Sequence, residues 1–80
     1  MPLHWFNSPI YVSTAKHGER YAVTNAERAA EFLLSWREHS REEAWRAAVS
    51  ACMACMKGEI ETERAREAFE AAARSIGHLL

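Results

Sequence analysis

Several residue types are scarce in this 80-residue sequence, and each scarcity excludes a class of function. Aspartate is absent, so all 11 acidic residues are glutamates. A Ser-His-Asp triad cannot form; glutamate could substitute for the aspartate, but no Gly-x-Ser-x-Gly motif is present. The three glycines are scattered, which excludes the glycine-rich loop that cradles phosphate groups. No stretch approaches the roughly 18 apolar residues of a membrane-spanning helix. The sequence therefore carries none of these common signatures of catalysis, nucleotide binding or membrane insertion.

The composition predicts one small globular domain over residues 1–80. Alanine contributes 15 residues, whereas leucine, isoleucine, valine and phenylalanine together contribute 14. The formal net charge is −1 with both signs interspersed, so neither a polyanion nor an acidic membrane surface is an expected partner. Residues 1–10 lack the basic start and apolar stretch of a signal peptide. We therefore expect a cytoplasmic protein with reduced cysteines.

The N-terminal third predicts an antiparallel β-hairpin. Residues 10–14 and 20–24 are rich in β-branched and aromatic residues and read as strands. A two-residue turn at His17 and Gly18 would place Val12 opposite Val23 and gather apolar groups on one face.

Three amphipathic helices are predicted after the hairpin. The first covers residues 25–36 and begins with a capping pattern at Thr24, and the second opens with the same pattern at Ser40. Lys57 and Gly58 form a typical helix end that closes the second helix. The third helix covers residues 62–76 and is closed by Gly77.

Together these elements predict an α+β fold, in which an N-terminal antiparallel hairpin packs with three amphipathic helices. Leu79 and Leu80 are apolar residues that follow the last helix. The sequence leaves two places open for them: they pack under the hairpin, or they add a short third strand to it.

An ordered set of short landmarks runs along residues 5–79. They are Pro9-Ile10-Tyr11-Val12, Gly18, Leu33 with Trp36, Ala48 with Cys52, Gly58 and Ala65-Arg66-x-x-Phe69-x-x-Ala72. With the order of the elements, this set resembles the family of small bacterial proteins known as domain of unknown function 982. The resemblance implies the fold but no catalytic residue, cofactor or substrate.

Cys52 and Cys55 form a CxxC motif whose position disfavours reactivity. Reactive CxxC thiols lie at helix N-termini, where the helix dipole lowers their pKa, but these cysteines lie near the end of the second predicted helix. Their spacing also puts both on its apolar stripe, which favours buried structural cysteines. A zinc site would need two more ligands, and the histidines are dispersed at positions 4, 17, 39 and 78. No metal or cofactor is expected, and a thiol or metal site at this pair is the lesser alternative.

Four residues are candidates for an interaction surface. Trp5 and Phe6 are adjacent aromatics that either fold back onto the core or meet a partner. Tyr11 lies on the first strand, and the edge of the hairpin offers backbone groups that can pair with a second copy of the chain. Arg66 is expected to pair with a glutamate. As the single arginine inside Ala65-Arg66-x-x-Phe69, it is alternatively placed to bond a helix end or a partner carboxylate.

These observations predict an interaction or accessory module without catalytic activity. Its expected partner is another protein or a second copy of the chain, and no small-molecule substrate or membrane is expected. The alternative is a DNA-associated regulator that uses the last two helices. Residues 59–76 hold five glutamates and three arginines, a local charge of −2, which argues against binding phosphates.

Overall fold

The computed structural model describes residues 3–13 and 19–80. Within them the chain forms two strands, a short 3₁₀ turn and three α-helices, which confirms the predicted α+β class. The elements are β1 (Trp5–Ser13), β2 (Arg20–Asn25), α1 (Ala26–Ser35), the 3₁₀ turn Arg37–His39, α2 (Glu43–Met56) and α3 (Thr62–Ile76).

The two strands form the predicted antiparallel hairpin, but its register differs by two residues from the prediction. Ile10 lies opposite Val23 and Val12 lies opposite Tyr21, so the predicted pairing of Val12 with Val23 is wrong. A shift of two residues keeps every side chain on its original face, and both valines are still fully buried. The burial of the valines therefore determines which face of the hairpin meets the core, but two strand registers bury the same residues. The turn predicted at His17 and Gly18 lies outside the described residues.

The end of the chain returns to β1 and pairs with its outer edge. Leu79 forms an isolated antiparallel bridge with Val12. The Ser13 N–H donates to the His78 carbonyl at 2.8 Å, and the Leu80 N–H donates to the Tyr11 carbonyl at 3.0 Å. Leu79 is also partly buried against the core. The two placements that the sequence left open for this segment are thus both partly realised.

The first helix begins one residue later than its capping pattern predicts. Asn25 is the N-cap, and its side-chain oxygen accepts a 2.7 Å hydrogen bond from the Arg28 N–H. Thr24 lies on β2 instead. Asparagine caps helices at least as well as threonine, so the strand extends one residue further before the helix starts.

The second helix starts three residues after the predicted cap at Ser40. The chain first forms the 3₁₀ turn, and the Ser40 N–H donates to the Arg37 carbonyl inside it. Glu42 occupies the N-cap position without a side-chain capping bond. Its carboxylate bonds the imidazole of His39 and the hydroxyl of Ser75, so it fastens the turn to α3.

The third helix covers the predicted residues, and both predicted terminal glycines adopt the left-handed backbone conformation. Gly58 has φ +78° after α2, and Gly77 has φ +95° after α3. Glycine has no Cβ and takes this conformation without strain. The sharp turn at Gly77 sends the last residues back toward β1.

The core lies between the inner face of the hairpin and the three helices. Trp36 is its aromatic centre: its ring stacks on Phe69 with centroids 5.8 Å apart and on His78 at 4.7 Å. The Trp45 indole N–H donates to the Leu33 carbonyl at 2.8 Å, which ties α2 to α1. Buried alanines and the two cysteines fill the spaces between helices, at Ala26, Ala29, Ala48, Cys52, Cys55, Ala65, Ala72 and Ala73.

Candidate functional site

The CxxC cysteines are buried and their thiols are hard to ionise. Cys52 and Cys55 are both unpaired and fully buried on the inner side of α2. Burial raises the pKa of Cys52 to about 12, with smaller contributions from Cys55 and Glu27. Burial also raises the pKa of Cys55, and the Glu27 charge adds to it. A protonated, enclosed thiol is a poor nucleophile and a poor metal ligand, so this geometry favours a packing role. Over residues 3–13 and 19–80, no cluster of three or more potential ligands is positioned to hold a metal ion.

His4 and Glu27 form a polar contact that the sequence did not reveal. The His4 backbone N–H donates to Glu27 Oε1 at 3.0 Å, and His4 Nδ1 lies 2.6 Å from Glu27 Oε2. The Ala26 N–H donates back to the His4 carbonyl at 2.9 Å. Burial acts to raise the pKa of the Glu27 carboxyl, but the hydrogen bonds from His4 outweigh it and hold this pKa below its ordinary value. The result is a clasp that holds the start of β1 to the first turn of α1.

His78 occupies a structural position at the other end of β1. Its ring stacks flat on Trp36, with an interplanar angle of 4°. The Nδ1 of His78 lies 3.2 Å from the Ser13 hydroxyl. The same hydroxyl donates to the backbone carbonyl of His78 at 3.4 Å. A serine next to a histidine is one part of a nucleophilic site, but such a site also needs a carboxylate that orients the imidazole. Within the described chain no carboxylate lies within ion-pair distance of His78.

Arg66 is occupied inside the fold. Its Nε donates to the Ser8 carbonyl of β1 at 3.0 Å, and its guanidinium pairs with Glu63 one helical turn earlier at 3.3 Å. The pair with Glu63 agrees with the predicted glutamate pairing, whereas the alternative was a bond to a helix end or to a partner carboxylate. The structure places the main bond on a strand carbonyl, between Trp5 and Ile10, where the hairpin register is irregular. Arg66 therefore joins α3 to β1.

The adjacent aromatics Trp5 and Phe6 have opposite environments. Phe6 is 9% exposed and belongs to the core, whereas Trp5 is 60% exposed. Of the two outcomes that the sequence allowed, Phe6 follows the first, and Trp5 stays at the surface. The four candidate residues therefore do not form one site, because two are engaged in the fold and two are exposed.

Tyr11 marks a larger apolar surface on the side of the sheet away from the helices. Ala22 lies directly opposite it in the hairpin register, and Leu80 is hydrogen-bonded beside it on the other flank. Tyr11 is 47% exposed, Leu80 is 57% exposed, and Ala22 is exposed as well. The Arg20 guanidinium lies 6.0 Å from the centre of the Tyr11 ring. We call Tyr11, Ala22 and Leu80, with Arg20 beside them, the outer-face patch.

The sequence pointed to Tyr11 but not to its neighbours. Leu80 reaches the patch only because Gly77 turns the chain back onto β1, a contact between residues 69 positions apart. Ala22 is one of 15 alanines, and only the strand register identifies it. Alternation along β1 was the available signal, since Ile10 and Val12 face the core and Tyr11 must face away.

A second partly apolar surface lies on α1 next to β2. The Tyr21 and Phe32 rings meet edge to face at 5.1 Å, and the Arg28 guanidinium lies 5.6 Å from the Tyr21 ring centre. A shallow open groove here is lined by Arg28, Glu31, Phe32 and Ser35. Arg28 and Glu31 pair with each other at 3.0 Å on its rim. We call this surface the α1 groove.

The fold and these surfaces define a small α+β domain whose exposed apolar residues lie mainly on and beside a two-stranded sheet. The chain belongs to the family described as "Protein of unknown function (DUF982)", whose model matches residues 8–79. This confirms the resemblance drawn from the sequence landmarks. No curated protein and no solved structure matches the chain. Among the described residues, no helix has the length and apolar character needed to cross a membrane.

Proposed function

We propose that this chain is a cytoplasmic protein-interaction module that carries out no chemistry and docks a protein partner on the outer-face patch. The observation that supports this proposal is the side-by-side arrangement of Tyr11, Ala22 and Leu80 on the solvent side of the sheet. Exposed apolar groups gathered in one place are typical of interaction sites, and tyrosine is enriched among the residues that dominate binding energy.

The chemistry of the patch favours a partner with an apolar surface bordered by a carboxylate. Arg20 lies beside the Tyr11 ring, where its guanidinium can donate two parallel hydrogen bonds to a carboxylate of the partner. Tyrosine offers both a large apolar ring and a hydroxyl at the rim. The groove that the structure describes lies on α1 and not on this patch, and small molecules favour concave sites, so a protein partner suits the patch better.

The proposal that the chain has no catalytic activity is supported by its described histidines and cysteines, which are engaged in contacts within the fold. His4 bonds Glu27, His39 bonds Glu42, and His78 stacks on Trp36. Each of these contacts joins two segments of the chain. Both cysteines are buried with raised pKa values, which also agrees with a reducing compartment.

The alternative of a DNA-associated regulator is not favoured. Arg66, a cation of the would-be recognition helix α3, is bonded to Ser8 and Glu63. Releasing it for a phosphate would leave the Ser8 carbonyl without this donor. The excess of glutamates in this part of the chain adds repulsion.

Quantitative capture of bound proteins from the source cells tests the proposal. Tagged wild-type chain is compared with a double variant, Tyr11→Ser with Leu80→Ser, that makes the patch polar. We expect at least one protein to be recovered with the wild type and depleted about tenfold or more with the variant, since removing a central aromatic contact costs on the order of 2 kcal/mol.

Leu34→Ser is the matched control, because Leu34 is 62% exposed but lies on α1. It removes an equally exposed leucine without altering the outer-face patch, and recovery with it should equal that of the wild type. Circular dichroism spectra and melting temperatures confirm that all three proteins fold. Equal recovery with wild type and the patch variant would contradict the proposal.

A further inference from the structure

The two edges of the hairpin differ in a way that leaves one of them ready for pairing. The outer edge of β1 is closed by the last residues of the chain, through the bonds of Ser13 and Tyr11 with His78 and Leu80. Over the described residues, the outer edge of β2 has no comparable backbone partner. An uncovered strand edge is a template for pairing with another strand.

The hydrogen bonds of β1 identify which backbone groups of β2 point outward. Successive residues of a strand direct their backbone groups to opposite edges. The backbone groups of Tyr11 and Ser13 bond to residues 78–80 at the end of the chain. Ile10 and Val12 therefore bond to β2, at Val23 and Tyr21. The N–H and C=O groups of Ala22, between those two residues, face away from the hairpin.

The α1 groove lies next to β2, since its Phe32 ring meets Tyr21 of that strand, and it carries charges of both signs. Arg28 and Glu31 have side chains that are 47% and 65% exposed. A two-fold symmetric interface places the same surface on both sides, so it must be complementary to itself. A patch with one cation and one anion meets that requirement, whereas a patch with a single sign repels its own copy.

We propose that the β2 edge and the α1 groove together bind a second copy of this chain. The two β2 strands pair antiparallel about a two-fold axis at Ala22, so that Ala22 meets Ala22 of the second copy and Arg20 faces Thr24. An even register keeps the helices of both copies on one face of a continuous sheet. Arg28 of each copy lies toward Glu31 of the other, and no like charges face each other along the strands.

This inference rests on the proposed function, because it names one of the module's partners as a second copy. Pairing at Ala22 also joins the two outer-face patches, since Ala22 is the member of each patch that lies at the β2 edge. The dimer thus presents one wider apolar surface, with a Tyr11 on each side of the new strand pair. Association uses the backbone groups of Ala22, whereas partner docking uses the side chains of the outer-face patch.

Native mass tests the inference, measured by light scattering after size exclusion over a range of concentrations. We expect a concentration-dependent dimer for the wild type. Glu31→Arg places like charges across the interface and should raise the dissociation constant about tenfold. The swap of both charges, Arg28→Glu with Glu31→Arg, restores complementarity and should return the constant close to the wild-type value. Glu67→Arg, on the exposed side of α3, is the matched control and should leave it unchanged.

Ala22→Pro tests the strand pairing itself. Proline removes the outward N–H, which no bond within the described chain uses, so the variant should stay folded and become monomeric. If it fails to fold, the charge variants still decide the inference. A wild type that is monomeric up to about 1 mM, or a swap that binds no better than Glu31→Arg, overturns it. If the chain is monomeric but still captures a partner in a way that depends on Tyr11, the proposed function stands without the dimer. If partner capture does not depend on Tyr11, the proposed function is overturned separately.

Discussion

His4 and Glu27 lie 23 positions apart in the sequence, yet two hydrogen bonds join them at the start of α1. Other polar residues act in the same way: Arg66 joins α3 to β1, and Glu42 joins the 3₁₀ turn to α3. Among the described side chains, no buried nitrogen or oxygen lacks a hydrogen-bond partner. At the residue scale, these polar contacts join segments of the fold that are distant in the sequence.

The clasp between His4 and Glu27 predicts an acid-sensitive contribution to stability. The pKa of Glu27 is lower in the folded chain than its ordinary value of 4.5. The stabilisation is therefore fully present above pH 4.5 and is lost as the pH falls through the folded pKa. We expect Glu27→Gln to be less stable than the wild type at pH 7, with a difference that shrinks below pH 4.5.

Urea unfolding at several pH values measures this difference. Glu67→Gln is the control, because Glu67 is exposed on α3 and should give a difference that hardly changes with pH. A deficit of Glu27→Gln that is the same at pH 7 and at acidic pH would show that the carboxylate charge contributes nothing.

At the scale of elements, the starts of α1 and α2 follow local bonds more closely than sequence patterns, whereas α3 starts at its predicted residue. The capping pattern, a hydroxyl residue followed three residues later by glutamate, appears at Thr24 and Ser40. Neither residue is the observed N-cap. Asn25 displaces the first, and the 3₁₀ turn displaces the second. The two glycine-closed helix ends do follow the sequence, because only a residue that tolerates positive φ fits there.

This difference between the caps predicts different costs of mutation. Asn25→Ala removes the acceptor for the Arg28 N–H in a buried position and should lower the free energy of unfolding by about 1–2 kcal/mol. Ser40→Ala should cost less than about 0.5 kcal/mol, since its side chain makes no capping bond to α2. Urea denaturation followed by helical circular dichroism measures both. Similar costs at the two positions would contradict the observed cap.

The hairpin shows where prediction from sequence stops. Alternation of apolar residues identified both strands and the buried face of Val12 and Val23. It does not distinguish registers that differ by two, because both bury the same residues. The pairing that identifies Ala22 as the neighbour of Tyr11 therefore comes only from the structure.

At the scale of the whole molecule, the sequence predicts the hairpin and the helices that pack on it but not how the end of the chain returns to β1. The apolar spacing of three helices and one hairpin is sufficient for the α+β class and for the burial of Phe69, Leu33 and both cysteines. The return of Leu79 and Leu80 to β1 depends on contacts across more than 60 residues, which no local pattern encodes. The same return completes the outer-face patch, so the candidate site is a product of the tertiary fold.

Site-specific photocrosslinking in the source cells tests whether a protein partner docks on the outer-face patch, as proposed. Benzoylphenylalanine is placed at position 11 in one variant and at position 34 in the other. Both positions are exposed, and they lie on different surfaces. We expect position 11 to give discrete adducts with partner proteins and position 34 to give none, apart from adducts with a second copy of this chain. Adducts with partner proteins from position 34 alone would overturn the proposal.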